Sequence, residues 1–208
     1  MDPLGVVPVE GRGSLPYSLV HGESFVAAAS WALTSAGVEL FDFDVAWEQI
    51  RSSGRMLVLH DPLCPLTPVE FLIRAVEEAE ASGAVVVGTR PVTDTIKAYD
   101  AAADGTIRLG ATVDRETLIS VTSPVVLPAT VVEALEGLDL SDLPRLVAEL
   151  AQRYPVRRIE APPLGRRVLG EDDLAVLAAL SESAGNPEPE DDEPEDDEPE
   201  DDVDPELA

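Results

Sequence analysis

The chain has little cysteine, histidine and aromatic content, and each shortage excludes a class of protein. Its single cysteine, Cys64, has no partner for an internal disulfide, and one cysteine with two histidines cannot supply a zinc site of the usual four-ligand type. Aromatic residues are 4% of the 208 residues, so the core must be aliphatic. Aliphatic cores rich in Val, Leu and Ile are typical of parallel sheets covered by helices.

Positive charge is also scarce. There are 14 basic residues against 41 acidic ones, a net charge of −27, which disfavours binding to nucleic acid through its phosphates. Fourteen of the acidic residues lie between Pro187 and Ala208 with no basic residue among them, which leaves a net charge of −13 before that segment. We expect residues 185–208 to form a disordered acidic tail, either simply solubilising or docking on a basic partner.

Long hydrophobic runs are absent. No segment approaches the roughly 20 apolar residues of a membrane span, and Met1-Asp2-Pro3 lacks the basic start of a secretory signal. The expectation is a soluble, cytoplasmic protein that binds neither membrane nor nucleic acid. Its length suits one domain, residues 1–184, ahead of the tail.

Apolar runs and helical patterns alternate along that domain. Runs at 56–59 and 84–88 read as buried strands, and between them an apolar helical pattern follows Thr67-Pro68, which is expected to cap the helix. A further helix at 143–152, a strand at 154–159 and a closing helix from Glu171 complete the pattern. The sequence predicts a Rossmann-like, mostly parallel α/β sheet flanked by helices, with right-handed crossovers.

Residues 93–115 differ from the rest because they read as a β-hairpin with a polar tip at Asp104-Gly105. The hairpin has few core residues of its own, and an isolated hairpin is only marginally stable in water. We expect this arm to pack against another surface. Polar side chains cluster at both ends of the arm and at His60-Asp61, where a buried strand would end and where open α/β sheets bind ligands.

Three of these clusters, His60-Asp61, Asp94-Thr95-Ile96-Lys97 and Thr112-Val113-Asp114-Arg115, occur in an order that resembles the 2-C-methyl-D-erythritol 4-phosphate cytidylyltransferase family. The resemblance runs from about Arg55 to about Leu180. It implies an enzyme of isoprenoid precursor synthesis that makes 4-diphosphocytidyl-2-C-methyl-D-erythritol from CTP and the methylerythritol phosphate, with Mg²⁺. It also implies a homodimer whose arm carries basic residues into the partner's active site.

The resemblance implies a role for several residues. Asp61 matches the carboxylate that engages the nucleotide and its metal, and Thr95 and Arg115 match the arm residues that bind substrate. Lys97 is a candidate for the substrate phosphate, and Arg167 lies where the family has a lysine ahead of its final helix. His60 is expected to be structural.

The amino-terminal loop departs from the family pattern, in which glycine amides, an arginine and a lysine bind the triphosphate. Here the loop is shorter: Gly11 and Gly13 supply the amides, and Arg12 is a cation at a different position in the loop. Glu10 adds a negative charge, and Tyr17 stands in place of the lysine. Cys64-Pro65 replaces an Arg-Pro pair, and Cys64 is expected to be packed and unreactive.

The stretch before His60 is shorter than in the family, and Thr122-Ser123-Pro124 replaces a Thr-Pro-Gln segment. Phe41, Phe43 and Trp47 are expected to fill the edge of the core rather than stack on a base. Two hypotheses therefore stay open. One is a compact cytidylyltransferase, and the other is a non-catalytic scaffold or regulatory dimer with the same fold.

Overall fold

A six-stranded mixed sheet forms the centre of the structure, a computed structural model that describes residues 2–41 and 47–185. Five strands run in one direction and the sixth, β9, is antiparallel to both of its neighbours. The predicted mostly parallel sheet is therefore confirmed. In order across the sheet, the strands are β10 (Val156–Glu160), β6 (Val85–Pro91), β9 (Ile119–Leu127), β5 (Leu57–Leu59), β1 (Leu4–Val6) and β4 (Glu39–Leu40).

Two short antiparallel pairs lie outside this sheet: β2 (Leu19–Val20) with β3 (Glu23–Ser24), and β7 (Ile96–Ala101) with β8 (Ile107–Val113). The second pair is the predicted arm. The helices are α1 (Phe25–Ser35), α2 (Trp47–Ser52), α3 (Val69–Ser82), α4 (Ala129–Ala134), α5 (Leu143–Ala151) and α6 (Glu171–Gly185).

Helices cover both faces of the sheet because successive strand residues point to opposite sides. In β5, Leu57 and Leu59 pack with α4 and α5, whereas Val58 packs with α1 and α3. Both clusters are almost entirely aliphatic. This three-layer arrangement matches the expectation from the low aromatic content.

Helix α3 forms close to the predicted place, with one correction at its start. Pro68 is the residue that precedes the helix, and no side chain caps it. Thr67 does not cap α3, because its hydroxyl donates instead to the Cys64 carbonyl at 2.8 Å. The helix ends at Gly83, whose left-handed conformation (φ 64°) is favourable for glycine. Its buried face carries Phe71, Leu72, Ala75 and Ala79.

Strand β9 was not predicted from the sequence, although it pairs with both β5 and β6. After β6 the chain forms the arm and then continues as β9, which pairs antiparallel with β6. The arm is therefore an insertion between two neighbouring strands. At the return, the register with β6 shifts between Val87 and Thr89, and Gly88 lies against the backbone of Ser123. Such an irregularity depends on the partner strand, so the local sequence does not reveal it.

Helix α6 packs on a third, smaller cluster that joins distant parts of the chain. Val168 and Leu177 contact Phe25 of α1 and Leu63, which follows β5. The Val168 amide also donates to the Leu63 carbonyl at 2.7 Å. The closing helix is thereby fixed beside the end of β5, which positions the preceding residue, Arg167.

The aromatic residues before His60 lie at the edge of the core, as expected. Phe41 and Trp47 are partly buried against the α4–α5 side, and the Trp47 indole donates to the Leu135 carbonyl at 3.1 Å. Phe43 and the predicted tail from residue 186 onward lie outside the described residues. Within residues 2–41 and 47–185, no helix is both long and apolar enough to cross a membrane.

Gly88→Ala tests the close contact between β6 and β9. A methyl group there would meet the Ser123 carbonyl, which cannot move without disturbing β9. We expect a loss of about 1–3 kcal/mol in the free energy of unfolding, measured by urea denaturation. The matched control is Gly137→Ala, because that glycine is exposed and its added methyl group has no neighbour within 4 Å. Equal stability of the two variants would show that the contact between Gly88 and Ser123 leaves room for a methyl group.

Candidate functional site

Asp61 is the centre of the candidate site. It follows β5, is only 1% exposed, and accepts hydrogen bonds from two arginines that are far away in the sequence. Arg12 Nε donates to Oδ1 at 2.8 Å and Arg167 Nε donates to Oδ2 at 2.9 Å. Burial by itself raises the pKa of Asp61, but the charges of Arg12 and then Arg167 outweigh it and leave the pKa below its ordinary value. The carboxylate is therefore ionised.

Arg12 is held in place by more than its ion pair. The residue is 5% exposed, and its Nη1 donates to the carbonyls of Glu10 at 2.5 Å and Leu140 at 3.0 Å. Nη2 is buried and has no acceptor within the described part of the chain. This nitrogen is a buried donor without a partner, which is uncommon in a folded protein.

Glycines shape the loop around Arg12. Gly11 has φ 75° and lies so close to the segment 139–142 that an added Cβ would stand 2.5 Å from the Ser141 carbonyl oxygen. Gly13 has φ 59°. The backbone N–H groups of residues 11–14 have no acceptor among residues 2–41 and 47–185. Successive free amides at left-handed glycines form the kind of concavity that binds anions.

Arg167 reaches Asp61 from the other side, where the chain enters α6. Its side chain is 25% exposed, so it is the more accessible of the two arginines. The adjacent Arg166 instead pairs with Asp173 in the first turn of α6 at 3.3 Å. The structure therefore brings Arg12 and Arg167 together on Asp61, with Gly11 and Gly13 on either side of Arg12 in the loop.

His60 lies beneath this site and is fully buried. Its Nδ1 is paired with the Ser123 hydroxyl, whose oxygen also accepts from the Asp61 amide at 2.9 Å. Burial lowers the pKa of His60 to about 4, so the ring is neutral at pH 7. These contacts match the structural role expected for His60. Ser123 was not predicted to contribute, because only the β9 pairing brings it next to His60.

Cys64 is buried in the turn after Asp61, and its amide donates to the Asp61 carbonyl at 2.9 Å. Burial, together with the negative charge of Asp61, raises the pKa of its thiol well above the ordinary value. The expected packed position of Cys64 is confirmed, and a raised thiol pKa disfavours the reactive thiolate. Glu10 and Tyr17, which distinguish the loop from the family pattern, are exposed, and Tyr17 is 62% exposed.

The arm residues do not join Asp61 within one subunit. Lys97 donates to the Thr112 hydroxyl at 2.9 Å, and Arg115 donates to the Thr93 carbonyl at 2.6 Å, both within the arm. Thr95 is exposed at its start. Arg115 also lines a cavity of about 570 Å³ at the base of the arm, together with Arg90 and Arg158, which were not predicted as site residues.

The donors around Asp61 do not fit a resident metal ion. Both carboxylate oxygens accept from guanidinium groups, and Oδ1 also accepts from the Leu63 amide at 3.1 Å. No group of three His, Cys, Asp or Glu side chains that could hold a metal occurs in the part of the chain that the structure describes. The site is instead suited to an anion.

Sequence comparison finds curated relatives of the chain. The chain is 28% identical over 179 residues to the 2-C-methyl-D-erythritol 4-phosphate cytidylyltransferase of Rhodococcus jostii, covering 83% of this chain and 75% of the relative. It is 33% identical over 130 residues to the protein of that name from Nocardia farcinica, where it spans about half of the relative, 54%. No family model matches the chain.

Structural comparison agrees. The cytidylyltransferase of that name from Thermus thermophilus superposes with a TM-score of 0.63 at 21% identity, covering 88% of this chain and 100% of the other. The 4-diphosphocytidyl-2C-methyl-D-erythritol synthase of Anaerococcus prevotii gives a TM-score of 0.57 at 11% identity, with coverage of 87% and 99%. At these identities the likeness establishes a shared fold.

The buried His60 should make the protein sensitive to mild acid. Because the folded pKa is about 4 and the unfolded value about 6.5, only the unfolded chain takes up this proton between those pH values. The contribution of His60 to the free energy of unfolding is fully present above pH 6.5 and is lost as the pH falls towards 4. It amounts to about 3 kcal/mol in total. His60→Asn should remove this part of the pH dependence, as measured by urea denaturation at pH 7 and pH 4.5. His21→Asn, at the exposed second histidine, is the control, and parallel curves for wild type and His60→Asn would refute the assignment.

Proposed function

We propose that this chain, which is homologous to the 2-C-methyl-D-erythritol 4-phosphate cytidylyltransferases, transfers a cytidylyl group from CTP to 2-C-methyl-D-erythritol 4-phosphate. The products are 4-diphosphocytidyl-2-C-methyl-D-erythritol, an isoprenoid precursor, and pyrophosphate. One observation carries the proposal: free loop amides and two arginines converge at the carboxyl ends of β1 and β5. In open α/β sheets this edge is where nucleotides bind.

The loop amides of residues 11–14 would bind the triphosphate, with Arg167 as the accessible cation. In the reaction, a phosphate oxygen of the polyol phosphate attacks the α-phosphorus of CTP, and the bond from that phosphorus to the bridging oxygen of pyrophosphate breaks. Negative charge then builds up on the leaving group. Fixed N–H donors and a guanidinium that are already oriented stabilise this charge without reorganisation.

Nucleotidyl transfer generally uses a divalent metal to neutralise phosphate oxygens, and Mg²⁺ is the ion that the homology implies. Mg²⁺ commonly retains several waters and binds substrate phosphates rather than a dedicated protein cage. Since the oxygens of Asp61 are engaged by Arg12 and Arg167, the ion is expected to accompany the nucleotide.

The arm supports a homodimer as the functional unit. On one face of the arm, Tyr99 lies opposite Leu109, and Ile107 follows on the same face, and all three side chains are more than 60% exposed. An exposed apolar face on a two-stranded ribbon is stabilised when a second surface covers it. In the proposed dimer, this surface belongs to the second copy, and Thr95, Lys97 and Arg115 complete the partner's site.

The second candidate function is a non-catalytic dimer with the same fold, and the loop provides the observation that favours it. Tyr17 replaces the lysine of the family pattern and is exposed, while Glu10 adds a carboxylate next to the free amides. Loss of a cation that stabilises transition-state charge can slow phosphoryl transfer by about 10³-fold or more. The two candidates therefore differ in turnover rather than in fold.

A pyrophosphate-release assay with CTP, Mg²⁺ and methylerythritol phosphate tests the enzyme. We expect turnover by the wild type and a loss of about 10²–10³-fold in Arg167→Met, because its guanidinium is the accessible cation. Arg51→Met, in an exposed pair with Glu48 on α2, is the control and should retain full activity. The thermal midpoint of each variant verifies folding. CTP binding without any turnover would favour the non-catalytic dimer.

The double substitution Glu10→Ala with Tyr17→Lys tests the loop separately. Removing an anion and adding a cation beside the free amides should tighten CTP binding about tenfold, an amount consistent with one charge-assisted contact. Isothermal titration calorimetry measures the change. An equally charge-altering pair on the exposed side of α2, Glu48→Ala with Gln49→Lys, should leave CTP affinity unchanged. If the loop variant binds CTP no better than the wild type, the loop is not the triphosphate site.

A further inference from the structure

We infer that Asp61 is a positioning residue that anchors two guanidinium groups, and that the site beside it takes phosphate groups without any metal ion bound to Asp61. The anchoring of the two arginines by Asp61 is a property of the folded chain alone, whereas phosphate binding beside Asp61 rests on the proposed function.

The acceptor capacity of Asp61 is already used. Its side chain is 2% exposed, Oδ1 accepts from Arg12 Nε and the Leu63 amide, and Oδ2 accepts from Arg167 Nε. Mg²⁺ requires ligands at about 2.0–2.1 Å in octahedral geometry and keeps much of its water shell. A metal ion on Asp61 would have to displace a guanidinium and bring water into a buried position.

The side chain of Arg12 is fixed in place. Its side chain is 1% exposed, and Nη1 is fixed by the carbonyls of Glu10 and Leu140. If Asp61 turned to a metal, the Arg12 charge would stay buried without a counter-ion, and a buried charge that has lost its partner is strongly destabilising. The arrangement is therefore self-reinforcing, because the carboxylate and Arg12 are each other's counter-ion.

The charges around Asp61 also disfavour a metal ion bound to this residue. Two guanidinium groups outweigh the one carboxylate at Asp61 itself, and the exposed Glu10 carboxylate next to the free amides brings the local sum to zero. The unpartnered Nη2 of Arg12 is a further buried donor. Asp61 therefore presents no unbalanced negative charge to a divalent cation. Asp61 then serves the ligand indirectly, through the position of Arg12 and Arg167.

The first experiment measures the thermal midpoint in EDTA. Asp61→Asn should lower it by on the order of 10 °C, because it leaves Arg12 buried and unpaired. Adding Arg12→Met to Asp61→Asn should restore part of the loss, since the orphaned charge is then gone. Glu48→Gln, which breaks an exposed pair, should change the midpoint by less than about 2 °C. An unchanged or higher midpoint for Asp61→Asn would overturn the anchor role.

The double variant keeps the test informative even if Asp61→Asn does not fold. In that case, folding of Arg12→Met with Asp61→Asn supports the anchor, and failure of the double variant as well means that Asp61 acts other than through Arg12. Binding of Mn²⁺ to the wild type is a further test of whether Asp61 holds a metal ion. Tight Mn²⁺ binding by electron paramagnetic resonance that disappears in a folded Asp61 variant would overturn the inference.

The second experiment measures CTP affinity with EDTA and with Mg²⁺. Any gain in affinity with Mg²⁺ is expected to be equal within about threefold in the wild type and in the folded Asp61 variant, because the ion accompanies the nucleotide and does not bind Asp61. A gain of tenfold or more with Mg²⁺ that is lost in the folded Asp61 variant would overturn the metal-free site. If CTP does not bind at all, the proposed function and the second half of the inference fail, and the thermal midpoints still decide the anchor role.

Discussion

The buried ion pairs of Asp61 connect three parts of the chain that are distant in the sequence. Arg12 comes from the loop after β1, Asp61 ends β5, and Arg167 precedes α6, so that the pairs span 49 and 106 residues. The loop, the central sheet and the closing helix meet at this carboxylate. Its position also depends on the layer below, where Ser123 of β9 accepts from the Asp61 amide and contacts His60. The site is therefore assembled only when the whole sheet has formed.

These ion pairs specify geometry more than they add stability. A buried pair gains Coulomb energy but loses the hydration of both charges, and well-packed apolar residues are often equally stable. Breaking the pair is different, because one charge is then left buried. The aliphatic clusters on the two sheet faces provide the driving force for folding, while Asp61 orients the side chains of Arg12 and Arg167 at the loop and helix ends. This division explains how the loop can depart from the family pattern while the fold is kept.

Sequence patterns predicted what depends on neighbouring residues. Helix α3, the arm and the strand before His60 follow from hydrophobic periodicity and turn residues, and the position of Asp61 follows from the end of that strand. The expected roles of Gly11, Gly13 and Arg167 came from the resemblance to the family. The internal ion pairs could not be predicted, since they depend on Gly11 packing against Ser141 and on Arg12 contacting Leu140, more than 120 residues away. Strand β9 was missed for the same reason. Its irregular register at Gly88 arises from the partner strand.

The exchange of cations in the loop has a consequence for how charge is distributed in the proposed enzyme. Arg12 restores a positive charge to a loop that lacks the lysine of the family pattern, but this charge is buried and paired with Asp61. Of the two arginines at Asp61, Arg167 alone is accessible to a ligand, and it shares its charge with the same carboxylate. A triphosphate and a sugar phosphate together carry several negative charges, which one shared guanidinium and a few amides cannot balance. The remaining positive charge has to come from elsewhere, and the exposed Lys97 and Arg115 of a second subunit's arm are the cations that the proposed dimer brings to this edge. In this protein, more than in one with a fully cationic loop, catalysis should therefore depend on assembly.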